Sequence, residues 1–215
     1  MLLLKIKQMV VEYGEKIVKE GLVVATWGNI SAREEGGDIF VITPSGMNYM
    51  SLEPEDIVTV DINGKQVCPG RKPSVETPLH AAIYRARPDV GAIIHTHSTN
   101  ASACAAARVD IPCIMEDLAS MVGGPVKVAD YALTGTEKLA ENAVKALENR
   151  NAVLLANHGV VSVGRNLEEA FKISLLVEKG AEIFLKSRIL GGPVSLDEEE
   201  VKYLREFYIK SYGQK

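Results

Sequence analysis

Apolar residues recur at helical spacing over the first nineteen positions. Leu2, Leu3, Ile6, Met9, Val10, Tyr13 and Ile17 share one face, which predicts an amphipathic helix over 2–19 that Gly21 stops. The period then shortens. Residues 27–33 (WGNISAR), 39–43 (IFVIT) and the two halves of DIVTVDINGKQV have strand lengths and strand composition, with Asn63-Gly64 predicting a two-residue hairpin turn. Helical spacing returns in LHAAIYRA, opened by Pro78 behind a Thr77 cap and ended before Pro88. Gly91-Ala92-Ile93-Ile94 reads as a buried strand, TEKLAENAVKALENR as a helix, and AVLLA and VVSVG as strands. Asn166, with Glu169 three residues on, caps a long helix running to about Ile189. Gly191-Gly192-Pro193 breaks it, and Ser195 with Glu198 opens a last helix that carries Tyr203, Phe207 and Tyr208. Hairpins mixed with helices predict α/β or α+β packing about a central sheet, and 215 residues suit one domain over 1–215.

Composition changes this picture little and excludes some partners. The chain is 47% hydrophobic and 24% charged, as in ordinary soluble domains. A net charge of -4 with no run of lysines and arginines argues against nucleic acid. Lys5 and Lys7 interrupt the opening leucines too early for a secretory or membrane-spanning segment, so the expectation is a cytoplasmic protein with no membrane partner. Cys68, Cys104 and Cys113 are odd in number and widely spaced, implying neither a disulfide framework nor a thiolate metal site.

Two of the four histidines, His95 and His97, follow the strand 91–94 directly. Residues i and i+2 of a strand face the same way, so the two imidazoles stand side by side at a strand end. The pair alone fits a metal-ligand arrangement and a polar strand–loop junction equally well. His158, in LLANHGV, also sits at a strand end, and Glu76, in KPSVETP, precedes a helix; three imidazoles and a carboxylate complete a zinc-type set. His80, inside that helix, is expected to pack or to support the site. WGNIS (27–31), TPSG (43–46) and Pro73-Ser74 combine turn residues with hydroxyl and amide donors, a composition suited to cradling a phosphate.

The ordered set GNIS, ITPSG, ETPLHAAIY, HTHS and NHG resembles the class II aldolase and adducin family of sugar-phosphate enzymes, and within it the fuculose-phosphate aldolase branch. The resemblance covers nearly the whole chain. It implies an α/β fold of three α/β/α layers with a mostly antiparallel or mixed sheet, assembled as a homotetramer with sites between subunits. It implies one divalent ion per subunit, usually zinc (Zn2+), held by His95, His97 and His158 with Glu76. Glu76 would also be the acid–base residue, and Gly28, Asn29, Ser45, Gly46 and Ser74 would bind the substrate phosphate.

Two positions depart from the branch. Val75 replaces a serine, removing one phosphate hydrogen bond. The segment IPCIMEDLASMVGG lacks the tyrosine that donates a proton to the aldehyde in the neighbouring subunit's site; Glu116 or Asp117 stands there, with Tyr212 in the tail as the further candidate. The reading that follows is a metal-dependent lyase cleaving a ketose 1-phosphate, such as L-fuculose 1-phosphate, into dihydroxyacetone phosphate and an aldehyde. A methylthioribulose-1-phosphate dehydratase or a sugar-phosphate epimerase is the alternative, and a non-catalytic adducin-like module fits less well with intact His95, His97, His158 and Glu76.

Overall fold

A strand buried at every position must be covered on both faces, and β4 (Ala92–Thr96) is such a strand. Ile93 packs with Leu79, Ile83 and Leu139 in one core, and its neighbour Ile94 packs with Val10, Ile17 and Leu167 in another. Consecutive strand side chains leave on opposite faces, so β4 alone requires three layers.

The computed structural model describes residues 2–34 and 36–211. Its sheet is completed by β1 (Asn29–Arg33), β2 (Ile39–Ile42), β3 (Val58–Asp61), β5 (Lys127–Ala129), β6 (Ala152–Leu155) and β7 (Gly159–Gly164). The strand order is β3-β2-β1-β4-β7-β6-β5, antiparallel throughout except for the parallel β5–β6 pair. Helices α2 (Thr77–Ala86) and α5 (Glu137–Leu147) supply residues to the core on the Ile93 face. The other face is covered by α1 (Leu2–Lys19), α3 (Thr99–Ala107), α4 (Glu116–Val122) and the long α6 (Leu167–Ile189), while α7 (Glu198–Ser211) packs against α4. Among the described residues no helix is long and apolar enough to cross a membrane.

Several boundaries differ from the sequence expectations. β1 begins at Asn29, which leaves Trp27 exposed in the turn ahead of it. The hairpin after β3 is wider than two residues: Asp61 N–H donates to Lys65 O and Gly64 N–H to Asp61 O, so Ile62, Asn63 and Gly64 form the loop with Gly64 at φ 83°. Glu76, not Thr77, occupies the cap position of α2; the Thr77 hydroxyl donates instead to Ser74 O. Ser195 does not cap α7. Asp197 and Glu200 exchange side-chain and backbone hydrogen bonds there, a reciprocal box two residues later.

Three elements were not anticipated: α3, α4 and β5. Glu178 of α6 anchors the start of α3 by accepting the backbone N–H groups of Asn100 and Ala101. The end of α2 is held from the sheet, because the buried Arg33 donates to the carbonyl oxygens of Tyr84, Arg87, Pro88 and Val90.

Candidate active site

The antiparallel order brings the end of β4, the start of β1 and the β6–β7 turn to one edge. Asn29 lies opposite His95 on one side, and Val161 lies opposite it on the other. Leu155 pairs with Gly159, so residues 156–158 form a three-residue turn with Asn157 left-handed at φ 56°, and His158 stands beside the β4 pair. Gly159 is required by this crowding. A Cβ there would lie 2.4 Å from Thr96 O, 2.8 Å from His97 Cδ2 and 3.2 Å from His95 Cε1.

The three imidazoles converge through one nitrogen each. His95 Nε2 is 2.9 Å from His97 Nε2 and 3.3 Å from His158 Nε2. The Nδ1–H of His95 donates to Val160 O at 2.9 Å, which turns its Nε2 to the centre. Glu76 enters from the start of α2, with Oε2 3.1 Å from His95 Nε2 and Oε1 3.6 Å from His158 Nε2. Asn29 Nδ2 donates to Oε2 at 2.8 Å and the Thr134 hydroxyl to Oε1 at 3.2 Å.

These donors fit a divalent ion. A single proton on His95 Nε2 cannot satisfy Glu76, His97 and His158 together, whereas one cation satisfies all four acceptors. The electrostatics of His97 and His158 agree. Burial, reinforced by the neighbouring imidazoles, pushes His97 down to about 3 and His158 down to about 4, keeping both neutral with lone pairs available. Burial pulls His95 down too, but the charge and hydrogen bond of Glu76 outweigh it and raise it. For Glu76, burial works against ionisation, yet His95, His158 and Asn29 hold the carboxyl well below its usual range. His80, which burial pushes down to about 3, stays neutral behind the site, in the supporting place expected of it.

His97, His158 and Glu76 face a cleft of about 430 Å³, a size suited to a small metabolite. Gly28, Asn29, Ser45, Gly46 and Ser74 all line it, so the structure brings every sequence-predicted phosphate residue to the same place as the histidines. Ser45 N–H is engaged by Lys72 O and the Ser74 hydroxyl accepts Glu76 N–H, so these serines offer their hydroxyl protons. Gly28, at φ 82°, lies so close to β4 that a Cβ would meet His95 O at 2.6 Å.

Not every candidate is at this cleft. Glu116 lines a separate cavity with Leu196, Tyr203 and Leu204. Asp117 accepts Leu118 N–H and pairs with Lys179 at 3.1 Å. Tyr212 lies outside the described residues. Conversely, the cleft is also lined by Trp27 and Asn157, which lie in the WGNIS and NHG segments with no role of their own, and by Tyr131, Leu133 and Thr134, which no sequence motif covers. The loop after β5 carries three of them, and a three-residue strand leaves too short a pattern to announce it.

A three-layer fold with such a centre defines an enzyme in which three imidazoles that could hold a divalent ion stand beside a buried carboxylate. Among known proteins, the model of the Class II Aldolase and Adducin N-terminal domain matches residues 8–185. The chain belongs to that family, and it is a lyase. It is 37% identical over 216 residues, covering both chains fully, to a 5-deoxy-D-ribulose 1-phosphate aldolase of Bacillus thuringiensis serovar kurstaki. It is 35% identical over 210 residues to the L-fuculose phosphate aldolase of Escherichia coli K12, covering 97% of this chain and 96% of the relative. A solved L-fuculose 1-phosphate aldolase superposes with a TM-score of 0.92 at 40% identity, over 95% of this chain and 96% of that one. The three-layer expectation is thereby borne out.

Proposed function

We propose that the protein is a zinc-dependent aldolase that cleaves a ketose 1-phosphate between C3 and C4 into dihydroxyacetone phosphate and an aldehyde. The observation that carries this reading is the convergence of His95, His97, His158 and Glu76 at the foot of a cleft lined by Gly28, Ser45, Gly46 and Ser74. A divalent ion bound by the three histidines supplies Lewis-acid stabilisation of negative charge at the substrate's carbonyl oxygen.

The chain's own groups do the rest. Gly28, Ser45, Gly46 and Ser74 hold the phosphate and so fix C3 relative to Glu76. In cleavage the C4 hydroxyl gives its proton to Glu116, the C3–C4 electron pair passes to C3 as the aldehyde C=O forms and leaves the enediolate, and Glu76, having taken a proton from solvent, delivers it to C3 and returns to the carboxylate. In the synthetic direction Glu76 removes that C3 proton from dihydroxyacetone phosphate. Glu116, contributed by a neighbouring subunit of a homotetramer, exchanges the proton with the aldehyde oxygen.

The cleft rim favours an aldehyde with an apolar far end. Trp27, Tyr131 and Leu133 line it with 64%, 51% and 66% of their surfaces exposed. A deoxy sugar phosphate ends in a methyl group, and the named relatives act on such sugars.

Incubation of the zinc-loaded protein with L-fuculose 1-phosphate, 5-deoxyribulose 1-phosphate and methylthioribulose 1-phosphate, followed by product analysis, tests the reading. Release of dihydroxyacetone phosphate supports it. A single dehydrated or epimerised product assigns the dehydratase or epimerase reaction instead.

A further inference from the structure

Glu76 is one end of a buried chain of hydrogen bonds that proton transfer in the cleft does not itself require. Tyr84 OH lies 2.9 Å from Ser31 Oγ, Ser31 Oγ lies 2.6 Å from His80 Nδ1, and His80 Nε2 lies 2.5 Å from Asn29 Oδ1. Asn29 Nδ2 then donates to Glu76 Oε2 at 2.8 Å. All five side chains are shut off from solvent, at 4% exposure or less.

Donor and acceptor chemistry gives this chain one direction. The ionised Glu76 carboxylate only accepts, so Asn29 turns its NH2 toward it and its carbonyl oxygen toward His80. That oxygen also only accepts, so His80 carries its proton on Nε2. The neutral ring is left with a lone pair on Nδ1, Ser31 must donate to it, and the Ser31 oxygen accepts from Tyr84 OH.

The consequence falls on Asn29. An amide side chain fits its space equally well after a half-turn, and only its partners decide between the two orientations. With Nε2–H of His80 on one side and a carboxylate on the other, the half-turn would set donor against donor and acceptor against acceptor, each buried and unsatisfied. The fixed orientation directs one Asn29 side-chain N–H to Glu76.

We propose that His80 is a positioning residue for proton transfer at Glu76, locking the Asn29 amide so that its NH2 group faces the carboxylate. This rests on the aldolase reading of Glu76.

The test joins a spectroscopic and a kinetic measurement on the full chain. Long-range proton–nitrogen NMR of the metal-free protein labelled at histidine should show His80 as the Nε2–H tautomer, identified by its absence in His80→Gln. Exchange of the C3 proton of dihydroxyacetone phosphate with deuterated solvent is then followed with metal content measured in parallel. His80→Leu should lower the saturating exchange rate about 10–100-fold at native metal content and nearly native KM. His80→Gln, which keeps an N–H for Asn29 Oδ1, should recover most of the loss, a rescue that mere packing does not predict. If His80→Leu fails to fold, Asn29→Ala removes the donor itself and should show the same loss.

An Nδ1–H tautomer, a native saturating rate in either variant, or an effect confined to KM would overturn the proposal. Absence of exchange by the native zinc-loaded protein would overturn the aldolase reading, and the role of His80 with it. That failure is distinguishable because the tautomer is read without substrate or metal.

Discussion

The carbonyl oxygen of Val160 accepts the Nδ1–H of His95 across the β4–β7 pair, and this backbone contact aims His95 Nε2 at His97 and His158. The aim of the site is therefore a property of the sheet. His97→Ala leaves that contact intact and removes one of three imidazoles, so the variant should fold normally and lose its divalent ion. Elemental analysis should give about one ion per native chain and almost none per variant chain after dialysis.

Gly159→Ala tests the crowding behind the same centre. A methyl group would meet Thr96 O and the His97 ring, so the turn or the ring must shift. The expected result is destabilisation of about 1–3 kcal/mol in urea unfolding, with weakened metal retention although no ligand has been changed.

Glu76→Gln preserves shape, and its amide oxygen can still approach the imidazoles, but it cannot accept a proton. The variant should keep its fold and metal and lose about 10²–10⁴-fold in deuterium exchange at C3 of dihydroxyacetone phosphate. Exchange at the native rate would place the base elsewhere.

Glu116 and Asp117 separate by the step they affect. Asp117 is already engaged by Lys179 and Leu118 N–H, whereas Glu116 faces a cavity beside α7. Glu116→Gln should leave C3 exchange intact and sharply reduce carbon–carbon cleavage. Asp117→Asn should leave cleavage near native and cost at most about 1 kcal/mol of stability, as befits an acidic group in a first helical turn. Native cleavage in both variants would direct attention to Tyr212.

Arg33→Met probes the scaffold. It keeps apolar bulk but strips the donors from the carbonyl oxygens of Tyr84, Arg87, Pro88 and Val90 at the end of α2. Each buried carbonyl left unpaired costs about 1–3 kcal/mol; a fall in thermal midpoint with unchanged metal content is the expected result.

The long periodic elements were legible in the sequence, and so were the residues that chemistry marks. Asn166 does cap α6, its side chain accepting Glu169 N–H at 2.9 Å, and the four expected ligand groups converge. Elements without a stripe were not legible. The α3 segment TNASACAAA is small on every side, so no apolar face stands out, and α4 and β5 are seven and three residues long. The direction of the strands came only through the family resemblance and not from the residues themselves. A strand-end histidine suggests the same edge in parallel and antiparallel sheets, and only pairing shows that His95 faces Asn29 and Val161. The link from His80 to Glu76 was hidden for a related reason, since Ser31 and Asn29 join it from another strand.

The pairing of β4 with β7 gives the metal a further part in the life of the chain. His95 and His158 are 63 residues apart in sequence, and the unfolded polymer holds only the local pair His95 and His97 near each other. A slip of β7 by one position would turn alternate side chains to the opposite face, and a slip of two would carry His158 about 7 Å along the strand, beyond any shared ion. Only the correct register assembles a tight chelate. Occupancy by the proposed ion would therefore act as a checksum on strand alignment: a divalent ion added during refolding should enrich the correctly threaded sheet, and mispaired chains should betray themselves by giving the ion up to a weak chelator.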